Sequence, residues 1–387
     1  MDNTSFRINY EPVHPGTAHT DIEFYSGAAS LFAALTSEEA LGTERTSAGD
    51  GTSGAERAPS GGKRMYITDT AVAALPAVRD FLQAEKEKKQ TVFILESGET
   101  HKTAETVLRI CESALKANLN RSSVFVGIGG GVVCDLCAFA CSIFKRGALL
   151  ELVPTTLLAM TDAAIGGKTG CDFGSYKNML GTFYPARTIR IAPDFVQTLS
   201  DREFFSGLAE AVKTAMLYDK DIFGVFEKQK DAVCKREKTV LADIIRSCAK
   251  AKAAVTEEDL SERGKRMELN LGHTFAHALE STAGFGKLSH GEAVAWGISR
   301  ALQVSVNLGC CAAAYKERVF ALLEQYGWCT ASLHPALAAK SCAADLLLQA
   351  MKQDKKNSGA RIRLILQSGL CSTLIKEVND EDILAVL

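Results

Sequence analysis

Three of the chain's seven histidines fall within one short stretch, "LNLGHTFAHALESTAGFGKLSH", as His273, His277 and His290. Imidazole is the commonest metal ligand and the side chain best suited to moving protons near neutral pH. Read as one continuous helix, the stretch would put Arg266, Asn270, His273 and His277 on a single face, at offsets of four, three and four. In "GLAEAVKTAM", Glu210 and Lys213 are three residues apart, so both can look into one cleft. One carboxylate with two imidazoles suits a divalent cation such as zinc and leaves positions open for substrate. Spacing alone does not decide whether His277 is a ligand, because a histidine pair one turn apart can grip a metal jointly. The competing reading is a helical core in which neighbours satisfy these histidines. Ser200 and Glu203 have capping-box spacing, so Glu203 needs no catalytic role.

A second signal lies in "VFVGIGGGVVCDLCAFACSIFKRG". Strand, three glycines, then helix is the arrangement that brings backbone N–H groups and a helix N-terminus against a phosphate. It departs from the usual dinucleotide fingerprint G-x-G-x-x-G, and a tight turn without a ligand is the bland alternative. Cys134, Cys137 and Cys141 share one helical face, yet no second Cys or His pair stands nearby for a structural zinc site. They read as soft core packing. Asp135 and the glycine run break the stretch as a membrane span.

Further cations sit in "DAAIGGKTGCDFGSYKNMLGTFYP", where two glycines precede Lys168 and Lys177-Asn178 follow in a loop. Such lysines can seize a phosphate or carboxylate as point charges. The Walker pattern G-x-x-x-x-G-K-[ST] is not met, which removes the best support for ATP hydrolysis. Lys252, Arg266, Lys355 and Lys356 add positive charge, although the last two could be a solvated surface.

The elements that must position these groups fall into two styles. From Arg64, strands alternate with helices, and this predicts a parallel sheet covered on both faces. "FRINYEP" and "DIEFYSG" read as two short edge strands, and "AVAALPAVRDFLQAEK" as one helix despite Pro76. Residues 37–63, rich in Gly, Ser, Thr and charge, read as a mobile loop. After Pro193 nearly every segment favours helix. We place an α/β domain at 1–192 and a mostly α-helical domain at 193–387. A net charge of -2 gives no reason to expect nucleic acid or an anionic membrane as partner. Twelve cysteines without dense spacing, and no apolar leader at the N-terminus, read as reduced thiols in a cytoplasmic protein.

Taken together, "GGGVVCDL", "KRG", "VPTTLLAMTDAAIGGKTG", "KNMLGTFYP", "LAEAVKT", "LNLGHTFAHALE" and "HGEAVAWG" resemble the 3-dehydroquinate synthases, a family of sugar phosphate cyclases. The resemblance runs from about Met65 to the end and is strongest from Gly129 to Gly297. It implies a Rossmann-like N-terminal domain, NAD and a divalent metal (zinc or cobalt), and a homodimer. It also implies a lyase that closes a seven-carbon sugar-acid phosphate, 3-deoxy-D-arabino-heptulosonate 7-phosphate, into 3-dehydroquinate with release of phosphate, on the shikimate route to aromatic amino acids.

Carried over residue by residue, Glu210, His273 and His290 would hold the metal, and His277 would handle a proton or touch phosphate. Lys168, Asn178, Asn270 and one of Lys355 or Lys356 would contact the phosphate, with Arg146 reaching it from a neighbouring subunit. Lys252 and Arg266 would hold the carboxylate, and Asp162 and Lys213 would line the reacting hydroxyls. The NAD positions would be Asp69, Glu99, Lys102, Gly130, Gly131, Asp135, Thr155 and Thr156, with Lys168 and Lys177 beside them. Cys134, Asp172 and the Ala215-Met216 pair depart from the family pattern without removing any of these residues. The rival readings are another sugar phosphate cyclase acting on a substrate without a carboxylate, a metal-dependent NAD alcohol dehydrogenase, and an inactive NAD-binding regulator.

Overall fold

The computed structural model describes residues 5–10, 17–37, 63–174, 176–284, 286–353 and 361–387. The expected loop therefore lies outside the described residues over 38–62, as do Lys355 and Lys356. The chain divides into two compact units, Met1–Thr198 and Leu199–Leu387.

Among the described residues the first unit has nine strands: β1 (Ser5–Asn9), β2 (His19–Phe24), β3 (Arg64–Asp69), β4 (Thr91–Leu95), β5 (Val124–Gly129), β6 (Leu149–Pro154), β7 (Cys171–Phe173), β8 (Tyr176–Leu180) and β9 (Thr188–Ile191). Seven form one sheet in the order β1-β2-β9-β6-β5-β3-β4. Every pairing in it is parallel except β1 with β2. The central strands read as continuous apolar runs because helices cover both faces; all six residues of β5 are buried.

Two local readings need correction. β2 is interior, since Asp21 to Phe24 pair with Thr188 to Ile191 of β9, and of the two strands only β1 is an edge. Pro76 divides the expected single helix into a short turn, Thr70–Ala73, and a helix Pro76–Glu87. Proline lacks an N–H and is tolerated at the first helical position, so it starts the second piece.

One carboxylate is buried within the sheet. Glu151 of β6 lies 3.3 Å from Arg64 Nη1 on β3 and 2.6 Å from Arg190 Nη1 on β9. Burial pushes its pKa up, but the two guanidiniums outweigh burial and hold it below its ordinary value. Cys134, Cys137 and Cys141 are buried free thiols packed against this sheet, as core residues should be.

The second unit is mostly helical. Its longest members are Asp201–Tyr218, Lys238–Glu258 and His290–Asn307. A hairpin unforeseen in the sequence, β10 (Ile362–Gly369) with β11 (Ser372–Val378), closes it. Gln367 of β10 is fully buried, and its Nε2 donates to the Met216 carbonyl at 3.0 Å. The Cys371 N–H donates to the same carbonyl at 2.9 Å. Met216 lies in the last turn of its helix, where carbonyls have no partner within the helix, so the hairpin satisfies that end.

Candidate active site

In the second unit, three elements bring Glu210, His273 and His290 together. Glu210 sits in the helix Asp201–Tyr218, which starts at Ser200 with a complete capping box to Glu203. His273 and His290 are each the first residue of a helix, His273–Ala283 and His290–Asn307.

The expected single histidine face does not exist. Lys265–Asn270 is a separate 3-10 turn, and Gly272 breaks the path with φ +79 before His273 opens the next helix. Only Gly fits there: a Cβ would stand 2.6 Å from the Ile298 nitrogen. Arg266 and Asn270 thus do not belong to the helix that carries His273 and His277.

Backbone proximity makes the convergence possible. A Cβ at Gly291 would come within 2.1 Å of the Ser206 carbonyl oxygen. The Gly291 N–H also donates to Ser206 Oγ at 3.1 Å. The two helices therefore touch backbone to backbone, one residue from His290 and one helical turn from Glu210.

The result is a compact donor set. Glu210 Oε1 lies 3.4 Å from His273 Nε2 and 3.3 Å from His290 Nε2. One donor atom from each residue falls within 4.8 Å of the others, and His277 is not in this group. The His277 ring stands beside it, its centroid 5.6 Å from that of His273 and 6.3 Å from that of His290. Lys213 Nζ sits 2.5 Å from the other carboxylate oxygen, Oε2, and both residues are almost wholly buried.

Electrostatics follow from this packing. Burial would raise the Glu210 pKa, but the Lys213 charge and the His290 hydrogen bond hold it down at about 2. Burial would lower that of His290, yet Glu210 and Glu280 raise it to about 10. The cluster thus favours an ionised carboxylate beside positive charge, which a divalent cation held by these donor atoms would supply. The mixed oxygen and nitrogen donors suit zinc. Sequence reasoning missed Glu280, whose Oε2 lies 3.5 Å from His290 Nδ1. Its signal was its place seven residues, two helical turns, after His273.

The remaining second-unit candidates are buried or held. Lys252 and Arg266 are buried. Arg266 Nη1 donates to the Leu260 carbonyl at 2.6 Å, and Asn270 Nδ2 donates to Glu262 Oε1 at 2.7 Å.

In the first unit the glycine turn folds as read: β5 ends at Gly129, and Gly130 caps the helix Gly131–Ile143 with no side-chain cap bond. The first N–H groups of that helix are thus left without a side-chain acceptor. A Cβ on Gly130 would stand 2.9 Å from Thr156 Cγ2. Thr155 Oγ1 is buried without a hydrogen-bond partner. Open N–H groups, a turn with no room for a side chain and an unspent hydroxyl are what a pyrophosphate would use. NAD fits this turn.

Beside it, Lys102 Nζ bridges Asp135 Oδ2 and Asn178 Oδ1, each at 2.6 Å. Burial alone would lower the Lys102 pKa, but Asp135, Glu99 and Asp172 raise it, so the ammonium is charged. Asn178, expected on phosphate and in a loop, stands on β8 with φ +50, its N–H donating to Asp172 Oδ1. The structure joins it to the Lys102–Asp135 pair. Asp69 Oδ1 accepts from the Val72 N–H and from Ser97 Oγ, and Glu99 lies 3.9 Å from Lys177 Nζ. Lys168 is exposed, and Asp162 lies within a π-helical turn, Ala159–Ala163. Arg146 is exposed with φ +67. Among the described residues no helix is long and apolar enough to cross a membrane.

Comparison with known proteins agrees with this geometry. A 3-dehydroquinate synthase from Acidithiobacillus ferrooxidans is 39% identical over 318 residues, 82% of this chain and 85% of that protein. Among solved structures, a 2-epi-5-epi-valiolone synthase from Streptomyces hygroscopicus subsp. jinggangensis, with NAD+ and Zn2+ bound, is 26% identical with TM-score 0.75. It covers 84% of this chain and 89% of its own. A 2-deoxy-scyllo-inosose synthase complexed with carbaglucose-6-phosphate, NAD+ and Co2+ is 24% identical with TM-score 0.79 over 99% of both chains, and shows the fold. Family models described as 3-dehydroquinate synthase N-terminal and C-terminal match residues 92–206 and 207–357. By these matches, which cover most of its length, the chain belongs to the 3-dehydroquinate synthase family.

Proposed function

We propose that the chain is an active 3-dehydroquinate synthase that converts 3-deoxy-D-arabino-heptulosonate 7-phosphate to 3-dehydroquinate and inorganic phosphate. The observation that carries this reading is the convergence of Glu210, His273 and His290 donor atoms within 4.8 Å, in a family member with an open glycine turn.

When bound, NAD would take up and return a hydride and a zinc-type cation would polarise the hydroxyl being oxidised. Glu210, His273 and His290 would hold the cation. Gly130, Gly131, Asp135, Thr155, Thr156, Asp69, Glu99, Lys102 and Lys177 would seat the dinucleotide. Both assignments draw support from the NAD+ and Zn2+ bound to the valiolone synthase. Lys213 keeps Glu210 ionised and, with Asp162, would line the reacting hydroxyls. Arg266 and Lys252, buried cations that suit an anion, would hold the substrate carboxylate. Lys168, Asn178, Asn270 and one of Lys355 or Lys356 would hold the phosphate that leaves. His277, beside both metal-side imidazoles, is placed to accept or return a proton.

NAD work thus belongs to residues 1–192, which also lend Asp162, Lys168 and Asn178 to the substrate, and metal work with the other substrate contacts to 193–387. The working unit is a homodimer in which Arg146 reaches the neighbour's phosphate; its exposure and left-handed backbone support that role. Twelve free cysteines support a reducing, cytoplasmic setting.

The test is phosphate release from the seven-carbon keto-acid phosphate by zinc-loaded protein with catalytic NAD. We expect release without lasting NADH absorbance. A stoichiometric, persistent NADH signal would mark a dehydrogenase instead, and absence of phosphate release would overturn the proposal.

A further inference from the structure

A carboxylate with no assigned step lies against the metal cluster. Glu280 is 7% exposed, and its Oε2 stands 3.5 Å from Nδ1 of His290. Nε2 of the same ring faces Glu210 Oε1 at 3.3 Å. Carboxylates from two different helices therefore grip this imidazole at both nitrogens. His273 is held differently. Its Nδ1 lies 3.2 Å from the Leu271 carbonyl, only two residues away, and its Nε2 faces Glu210 at 3.4 Å.

The contrast has a chemical meaning. An imidazole can offer a lone pair at Nε2 only if its proton sits on Nδ1, and the acceptor behind Nδ1 decides that. For His273 the acceptor is a neutral carbonyl supplied by the adjoining turn. For His290 it is a carboxylate brought from the helix His273–Ala283. A carboxylate this deeply buried is costly unless it serves a partner, so its position facing Nδ1 is informative.

We propose that Glu280 is a positioning residue for the metal centre: it accepts the Nδ1 proton of His290, aims Nε2 at the cation held with Glu210 and His273, and strengthens that imidazole as a donor. This rests on reading those three residues as metal ligands. A partner behind a metal-bound histidine commonly changes metal affinity by about 10–100-fold. It follows that the two histidines are unequal, and that His290 is the one tuned by charge.

The experiment uses the full-length protein, stripped with a chelator and titrated with Zn2+ against a chromophoric competitor. A second sample is loaded with Co2+ and its visible absorption recorded. Glu280→Gln keeps the size and an acceptor oxygen but removes the charge, so a purely packing role would survive it. We expect zinc affinity to fall about 10–100-fold and the cobalt bands to shift, with far-UV circular dichroism unchanged. His290→Ala serves as reference and should lose the metal altogether.

Wild-type affinity and cobalt spectrum in Glu280→Gln, with the metal lost in His290→Ala, would overturn the role of Glu280 and leave the metal reading standing. Undiminished zinc binding in His290→Ala would overturn the metal reading itself, and this proposal with it. Should Glu280→Gln not fold, Glu280→Asp withdraws the carboxylate from Nδ1. The same loss is then expected, and wild-type affinity again overturns the proposal.

Discussion

The two candidate sites are built on opposite plans. The nucleotide turn of the first unit is made largely of backbone, from a strand, Gly130 and a helix that follow one another directly in sequence. The metal cluster of the second unit is made of side chains, drawn from three helices that meet only because Gly291 and Gly272 let backbones touch. A site of the first kind is written in a few consecutive residues. One of the second kind depends on the packing of a whole unit, and should fail more abruptly when any contact is altered.

The sharpest test of that contrast is Glu210→Ala. Removing the carboxylate both histidines face should abolish bound metal by elemental analysis and lower the rate of phosphate release by about 10³-fold. NAD binding at the glycine turn of the first unit, measured by calorimetric titration, should be unchanged. Loss of both would erase the distinction.

Next in size is the buried charge of the first unit. Breaking a buried ion pair costs about 3–5 kcal/mol, so Glu151→Gln should lower the denaturant midpoint markedly. Because Glu151 titrates below its ordinary 4.5 in the folded state, its stabilisation is present above pH 4.5 and is lost as pH falls through the lower, folded value. Acid unfolding of the wild type should carry this steepening, and Glu151→Gln should lack it.

The glycines come third. Gly291→Ala would drive a Cβ toward the Ser206 carbonyl oxygen. Overpacking of this kind costs about 1–3 kcal/mol, and a lower Tm with weaker metal retention is expected. Gly130→Ala meets only a threonine methyl. It should weaken NAD binding in a titration while leaving the metal content intact. Equal damage to metal from both variants would break the comparison. The smallest effect is that of Ser200→Ala, which removes a helix cap worth about 1 kcal/mol and should shift Tm slightly with kcat unchanged.

What the sequence revealed follows the same division. The glycine turn was legible because its strand, turn and helix are contiguous, and the three cysteines behind it were readable as core from helical spacing. Glu210, His273 and His290 were legible as residue types, but their shared geometry was not. Reading 266–277 as one helix failed at Gly272, where packing against Ile298 dictates a left-handed backbone. The interior position of β2 was hidden because its partner strand, β9, arrives only at Thr188. The β7–β8 hairpin escaped notice since "YKNML" is mostly exposed and shows no alternation. Glu280 was overlooked for a related reason: its spacing from His273 marks only a shared helix face, and its value lies in facing His290 on another helix.

The bond from Gln367 and Cys371 to the Met216 carbonyl sets an order of events in the cell. The helix bearing Glu210 is tied off by a segment that lies 151 residues further along the chain. A nascent chain would thus carry a finished dinucleotide turn long before it could grip an ion firmly. Firm metal capture would have to wait until residues 362–371 are made and folded back onto that helix.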